Sequence, residues 1–307
     1  MKIKSALFLI SVIALSACQK GHTHVWSKWE SDANQHWRHC IIRGCHEVEI
    51  EEHIGYPCDV CGPCFKAVAF YTGINDQAHV SFCKEANTWF SETAQTHNFI
   101  FESTNNWDNM NADYLSDVDI VLFYDTRPEA PSQREAFEEY MDNGGCWVGF
   151  HFSAFALTPS SYNQDWDWYH EDFLGSGQYV SNTWAPTSAF LKVETHDYPG
   201  TRNIPDLFES TPCEWYRWEH DLRENPDIQI LCSIDPSSFP LGTGPKQEEI
   251  WYSGYYPVVW TNLNYNMMYM NMGHNLMNYE TDTTLSWTFG SEIQNALLLD
   301  TMFGFFE

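Results

Sequence analysis

From residue 65 onward, short apolar runs alternate with stretches in which apolar positions recur every three or four residues. Short continuous runs bounded by turn residues read as buried strands, and the longer recurrence reads as one face of a helix. Lys66-Ala-Val-Ala-Phe-Tyr71 is a first strand with Thr72-Gly73 as its exit. Residues 81–94 then place Phe82, Ala86, Trp89, Phe90 and Ala94 at helical spacing. Residues 99–102 and 119–124 are strongly apolar and read as second and third strands. Ser132-Gln-Arg-Glu135 has the form of a capping box, predicting a helix that turns Phe137, Tyr140 and Met141 inward. Asn143-Gly144-Gly145 stops that helix, and Cys146–Phe150 is a fourth strand. This β-α-β-β-α-β order with short connections predicts an α/β domain with a parallel sheet covered by helices on both faces.

Beyond residue 151 the pattern is weaker. Residues 166–174 fit a helix or an ordered loop. Residues 191–194 and 228–232 read as strands, and 258–260 with 267–272 as a late hairpin. Residues 291–303 carry Ile293, Ala296, Leu297, Leu299 and Met302 at the spacing of a closing helix.

Residues 21–64 have a different pattern, with few aliphatic side chains but many His and Cys. A segment this poor in apolar groups needs a staple to hold a fold. Cys40-x4-Cys45 and Cys58-x2-Cys61 have zinc-ribbon-like spacing, so these four thiols are a candidate metal set. Disulfides are the competing staple if the chain is exported to an oxidising space. Five cysteines here (Cys64 is the fifth) leave one over in any disulfide scheme, whereas zinc can take four or mix Cys with His; a segment without either staple would be disordered.

Export is what the first residues predict. Lys2 and Lys4 precede an apolar run over residues 6–15, too short for a permanent span but suited to a secretory signal. Leu15-Ser16-Ala17-Cys18 has the form of a bacterial lipoprotein signal, so Cys18 is expected to become a lipid-modified N-terminus. The expected organisation is a signal over 1–17, a Cys/His-rich module over 18–64 and an α/β domain over 65–307, tethered to a membrane outside the cytoplasm. Gln19 after the lipidated cysteine points to an outer membrane in a Gram-negative organism.

Charge narrows the partners. The formal charge is −27, and loss of Lys2 and Lys4 makes the mature chain −29. So acidic a chain repels phosphate backbones and anionic headgroups, leaving the lipid as the expected membrane contact and disfavouring nucleic acid. Neutral sugars suffer no such penalty. The 14 Trp, 16 Tyr and 20 Phe supply rings beyond the needs of a core, and exposed rings suit sugar faces.

The chemistry centres on His151. In several α/β enzymes a strand ending in Gly-x-nucleophile carries a reactive Ser or Cys at that point. Here the imidazole of His151 stands there, and Cys146 lies five residues earlier, inside the strand. Cys83, Cys146, Cys213 and Cys232 each sit singly in apolar surroundings, as buried small hydrophobes do.

The region 65–307 resembles the ThuA-like (trehalose utilisation) family. Thr72-Gly73 followed by His79 resembles its first loop. Asn143-Gly-Gly-Cys-Trp-Val-Gly-Phe-His151 resembles its Gly-Gly-Gly-x-Val-Gly-Ile-His segment. The blocks around His170, His196-x-x-Pro199, Cys213-Glu214-Trp215-Tyr216, Pro257-Val-Val-Trp260 and Met272-Gly273-His274 follow in order, with Cys213 where the family has Asp. The resemblance implies a flavodoxin-like fold related to class I glutamine amidotransferases, without their cysteine, so no glutaminase activity is expected.

It also implies a shared crevice for His151, Glu214 and His274, as acid/base groups or as ligands of a divalent metal. His79, His170, Tyr216 and Trp260 stand around it as substrate contacts. The implied substrate is a sugar, an oxidised (keto) disaccharide being one form it could take, and no nucleotide cofactor is expected. Capture of a surface glycan without turnover, and an interaction scaffold on an inactive fold, are the alternatives. The scaffold would leave these residues scattered.

Overall fold

The computed structural model describes residues 22–53, 55, 57–73, 77–155, 166–183, 187–238, 254–274 and 288–307. The signal segment and Cys18 lie outside the described residues. Among those described, no helix is long and apolar enough to cross a membrane.

The N-terminal region forms a three-stranded antiparallel sheet in the order β1 (Glu30–Ser31), β2 (Gln35–His39), β3 (Val48–Glu52). It buries little aliphatic surface: Val25, Ile41, Val48 and Ile50 are all exposed.

The second sheet begins at β4 (Lys66–Phe70) and gathers β5 (Ile100–Thr104), β6 (Ile120–Tyr124) and β7 (Cys146–Phe150). Then come β9 (Phe190–Val193), β10 (Leu207–Glu209), β12 (Ile228–Ile234), β13 (Pro257–Asn262) and β14 (Asn266–Met270). The spatial order is β10-β9-β12-β13-β14-β7-β6-β4-β5. The strands from β5 to β14 pair in parallel, whereas β13, β12, β9 and β10 continue the sheet antiparallel. The parallel expectation therefore holds for the half that carries the βα units. The expected late hairpin is β13–β14, which turns the sheet over. A small ribbon, β8 (Tyr179–Asn182) with β11 (Tyr216–Trp218), stands apart.

Successive strand residues point to opposite faces, and each face has its own core. Ala67, Ala69, Ile120, Leu122, Tyr124, Val148 and Phe150 pack with helices α1 (Gln77–Thr96) and α4 (Glu292–Gly304). Val68, Phe70, Val121, Phe123 and Trp147 pack against Leu115 of the short α2 (Ala112–Leu115) and against α3 (Pro131–Asp142). The same face meets the wide helical turn Trp168–Phe173, which resolves the ambiguity of that stretch.

Helix α3 starts two residues earlier than a Ser132 cap would require, with Ala130 at the cap. Pro131 occupies its first turn, and the Gln133 side chain accepts from the Ala130 N–H at 3.3 Å. Ser291 caps α4 through its hydroxyl.

Candidate functional site

Parallel strands end at one edge of the sheet, where open α/β folds place their ligands. Two strands here end in a residue forced to positive φ: Asp125 after β6 (φ 50°) and His151 after β7 (φ 43°). Left-handed backbone is strained for residues other than glycine and clusters at functional sites. Gly273, just past β14, lets the third strand end come close. A Cβ at Gly273 would stand 2.7 Å from His151 Cβ and 2.9 Å from Asp125 Oδ1.

These strand ends gather three imidazoles. The rings of His79, from the first turns of α1, His151 and His274 lie with each pair of centroids 5.3 Å apart. Glu214, arriving beside β11, places Oε2 3.6 Å from His151 Nε2 and 3.9 Å from His274 Nε2. His79 Nδ1 is 2.7 Å from Asp125 Oδ2. The residues expected to share a crevice thus converge.

Hydrogen bonds orient the rings. His151 Nδ1 lies 2.9 Å from the Asn271 carbonyl oxygen, which can only accept, so Nδ1 carries the proton. That leaves Nε2 facing Glu214. The Tyr216 ring packs 4.2 Å from the His151 ring, and the Tyr269 hydroxyl donates to the His151 carbonyl at 2.9 Å. Glu214 is held from behind: the Asn182 amide donates to Oε1, leaving Oε2 for the histidines. The Asn271 amide donates to the Glu214 carbonyl at 2.8 Å, so one asparagine braces both the imidazole and the carboxylate segment. By the same logic the Asp125 carboxylate accepts the Nδ1 proton of His79, turning its Nε2 the other way.

Burial grades across the cluster. The His151 side chain is fully buried, those of His274 and His79 are 9 % and 10 % exposed, and Glu214 is 16 % exposed. Solvent therefore reaches the cluster chiefly at Glu214. A cleft of about 420 Å³ runs along the far side of the β11 segment, sharing Tyr216 with the cluster and lined also by His220 and Tyr255. Beneath the site, Arg127 is buried with Nη1 3.4 Å from the Phe152 carbonyl, and burial pulls its guanidinium down to about 10.

One expected contact, Trp260, is placed differently. Trp260 is wholly buried, donates to the Leu174 carbonyl at 2.9 Å and packs against Tyr269, so its face has no room for a sugar. Trp215 is likewise buried, with its indole N–H on the Thr187 carbonyl. The His170 ring lies 5.2 Å from that of Tyr169. His196 braces the turn at Pro199–Thr201 through the Thr201 carbonyl (2.6 Å) and Asp206 (2.8 Å).

Among the described residues no thiol offers a nucleophile at this edge. Cys213 is buried beside Asn271, and burial pushes its thiol up to about 12; Cys146, inside β7, is pushed to about 12 by burial and then by Asp119.

Sequence reasoning missed Asp125, Asn271 and Asn182. The first carried a usable signal: Asp125 follows a buried parallel strand as His151 does.

In the N-terminal module the four expected thiols do not form one site. Cys40 and Cys45 group with His22 and His24, while Cys58 and Cys61 group with His36. No disulfide joins the nine described cysteines.

The family model described as trehalose utilisation (ThuA) matches residues 67–291. A ThuA-like protein from Bacteroides uniformis is 34 % identical, with a TM-score of 0.69 over 81 % of this chain and 94 % of that one. A ThuA-like protein from Parabacteroides merdae is 16 % identical, with a TM-score of 0.54 over 79 % and 90 % of the two chains, a likeness of fold alone. Among curated proteins none matches.

Proposed function

The chain belongs to the ThuA family, and on that premise we propose that its histidine and carboxylate cluster binds a neutral sugar and moves protons on it. The substrate class we infer is a disaccharide or its keto form, in keeping with the family's description as trehalose utilisation. The single observation that carries this reading is the convergence of His151 and His274 on one Glu214 oxygen, at 3.6 and 3.9 Å.

With Nδ1 protonated, His151 Nε2 keeps a lone pair that can take a proton, and the Glu214 carboxylate beside it stabilises the imidazolium that results. In a keto sugar the hydrogen beside the carbonyl is acidified. His151 Nε2 removes it, the electron pair moves into an enediolate, and return of the proton completes the exchange. His79, when protonated on both nitrogens with Asp125 accepting from Nδ1, donates from Nε2 to the enediolate oxygen and takes that proton back as the carbonyl re-forms. Among the described residues the groups close enough to hold a metal both lie in the N-terminal module and do not include these three donors, so the acid/base reading is the one proposed.

The cellular setting belongs to the same proposal. Cleavage before Cys18 and its acylation would tether the domain outside the cytoplasm, with the 18–64 module as a spacer between lipid and α/β domain. The charge of −27 supports a neutral ligand over nucleic acid or an anionic surface.

The test is incubation with a panel of disaccharides and their keto forms, comparing wild type with His151→Ala. Product from the wild type alone supports the reading. Binding that persists with no product from any member of the panel replaces it with glycan capture.

A further inference from the structure

The remaining chemistry lies in the N-terminal module. We propose that it binds two zinc ions: one held by His22, His24, Cys40 and Cys45, the other by His36, Cys58 and Cys61 with a fourth donor from His53 or Cys64. Within each group the ligand atoms all lie within 4.8 Å of one another.

The separations are those of a tetrahedral ion. Zinc binds sulfur at about 2.3 Å and imidazole nitrogen at about 2.0–2.1 Å, so the sulfur-to-nitrogen edge of the tetrahedron is about 3.6 Å. Cys40 Sγ lies 3.9 Å from His22 Nε2, Cys45 Sγ 3.5 Å from His24 Nδ1, and Cys58 Sγ 3.7 Å from His36 Nδ1. Mixed sulfur and imidazole donors in this geometry select zinc over hard, oxygen-seeking cations.

A second set of contacts supports each site. His36 turns its other nitrogen, Nε2, to Glu51 Oε2 at 3.5 Å, the arrangement by which a carboxylate fixes a metal-bound imidazole. Asn98, from the turn after α1, accepts the Cys58 N–H at 2.8 Å. Its amide donates to the Gly62 carbonyl at 2.8 Å and approaches Cys61 Sγ at 3.7 Å and Cys64 Sγ at 3.8 Å. Donors aimed at sulfur stabilise the thiolate form that a metal requires. The fourth position has two neighbours: His53, whose ring stacks on His36 at 5.7 Å, and Cys64 beside Asn98.

The first site knits the ends of its own sheet, since Trp26 bridges to Cys40 and the Ile41 N–H bonds the Val25 carbonyl. The second, through Asn98, fastens the module to the α/β domain. An exposed three-stranded sheet with almost no aliphatic core gains from these ions what it lacks in packing.

The experiment is metal analysis of the purified full chain by mass spectrometry. Two zinc ions per chain are expected, with one retained in Cys40→Ser/Cys45→Ser and one retained in Cys58→Ser/Cys61→Ser. A single ion lost entirely from either double variant would mean one shared site and overturn the proposal. So would zinc-free protein with these cysteines recovered as disulfides. Should the variants fail to fold, cobalt titration of the metal-stripped wild type decides. Thiolate-to-cobalt absorption rising to two equivalents supports two sites, and saturation at one contradicts them.

Discussion

Histidine gathers in two places in this molecule, and its neighbours differ. In the N-terminal module the imidazoles face thiols, with sulfur and nitrogen 3.5 Å apart at His24 and 3.9 Å at His22. At the strand ends they face carboxylates, and their rings stand 5.3 Å apart around Glu214. The first arrangement closes on itself, because four donors at tetrahedral edges leave no position for a substrate. The second is held from outside by Asn271, Asn182 and Asp125, so its reactive atoms point at each other and towards solvent at Glu214. On the two proposals, one residue type would serve as a staple or as an acid/base group according to whether sulfur or oxygen meets it.

The strongest way to break this comparison is to remove metal. On the two-zinc proposal each ion would contribute on the order of the 10–16 kcal/mol typical of structural zinc in zinc-finger peptides, more than the module's exposed sheet can supply from packing. Chelation is expected to unfold residues 22–64 while the α/β domain keeps its secondary structure, as read by hydrogen exchange. Equal loss of protection in both regions would remove the distinction. Next in size, His151→Asn and Glu214→Gln are expected to lower turnover of the sugar substrate by about 10²–10⁴-fold, the usual range for a lost acid/base group. Neither should change zinc content. A change in zinc content would show the two clusters to be linked.

A smaller effect is expected at Gly273. A methyl group there meets His151 Cβ at 2.7 Å, so Gly273→Ala should cost about 1–3 kcal/mol of stability and displace the imidazole. Denaturant midpoints and turnover of the same variant measure both, and a change in neither would show the close approach to be slack. The smallest effect concerns a histidine of neither cluster. The Thr201 carbonyl, and then Asp206, hold exposed His196 above its ordinary value of 6.5. Its contribution to stability is therefore complete below that value and fades as pH rises through the folded one. Histidine NMR titration should place its midpoint above 6.5, and a midpoint at or below that value would contradict the two hydrogen bonds assigned to it.

Much of the α/β domain was legible in the sequence. The glycine stop at 143–145, the strand Cys146–Phe150 and the closing helix behind Ser291 follow from turn chemistry and periodicity, and the structure places them within a residue. So does the position of His151, since a residue after a buried strand must lie at the sheet edge. Strand direction was not legible, because β12 and β13 bury side chains in the same pattern whether paired parallel or antiparallel. Trp260 misled for a related reason: an aromatic in a short apolar strand looks alike under a packed layer or beside a cleft.

The split of the thiols into two groups was hidden by distance along the chain. His36 reaches Cys58, 22 residues away, through strand pairing that cysteine spacing does not reveal. Asn271 was hidden because its carbonyl, not its side chain, fixes the His151 proton.

The central claim is that His151 takes and returns a proton on a sugar, and exchange in heavy water tests it most directly. A keto-disaccharide incubated with the protein in D₂O should lose the NMR signal of the hydrogen beside its carbonyl far faster than in buffer. The same incubation with His151→Ala should fall back toward the buffer rate. Wild-type exchange no faster than buffer, or exchange undiminished in the variant, would contradict the account.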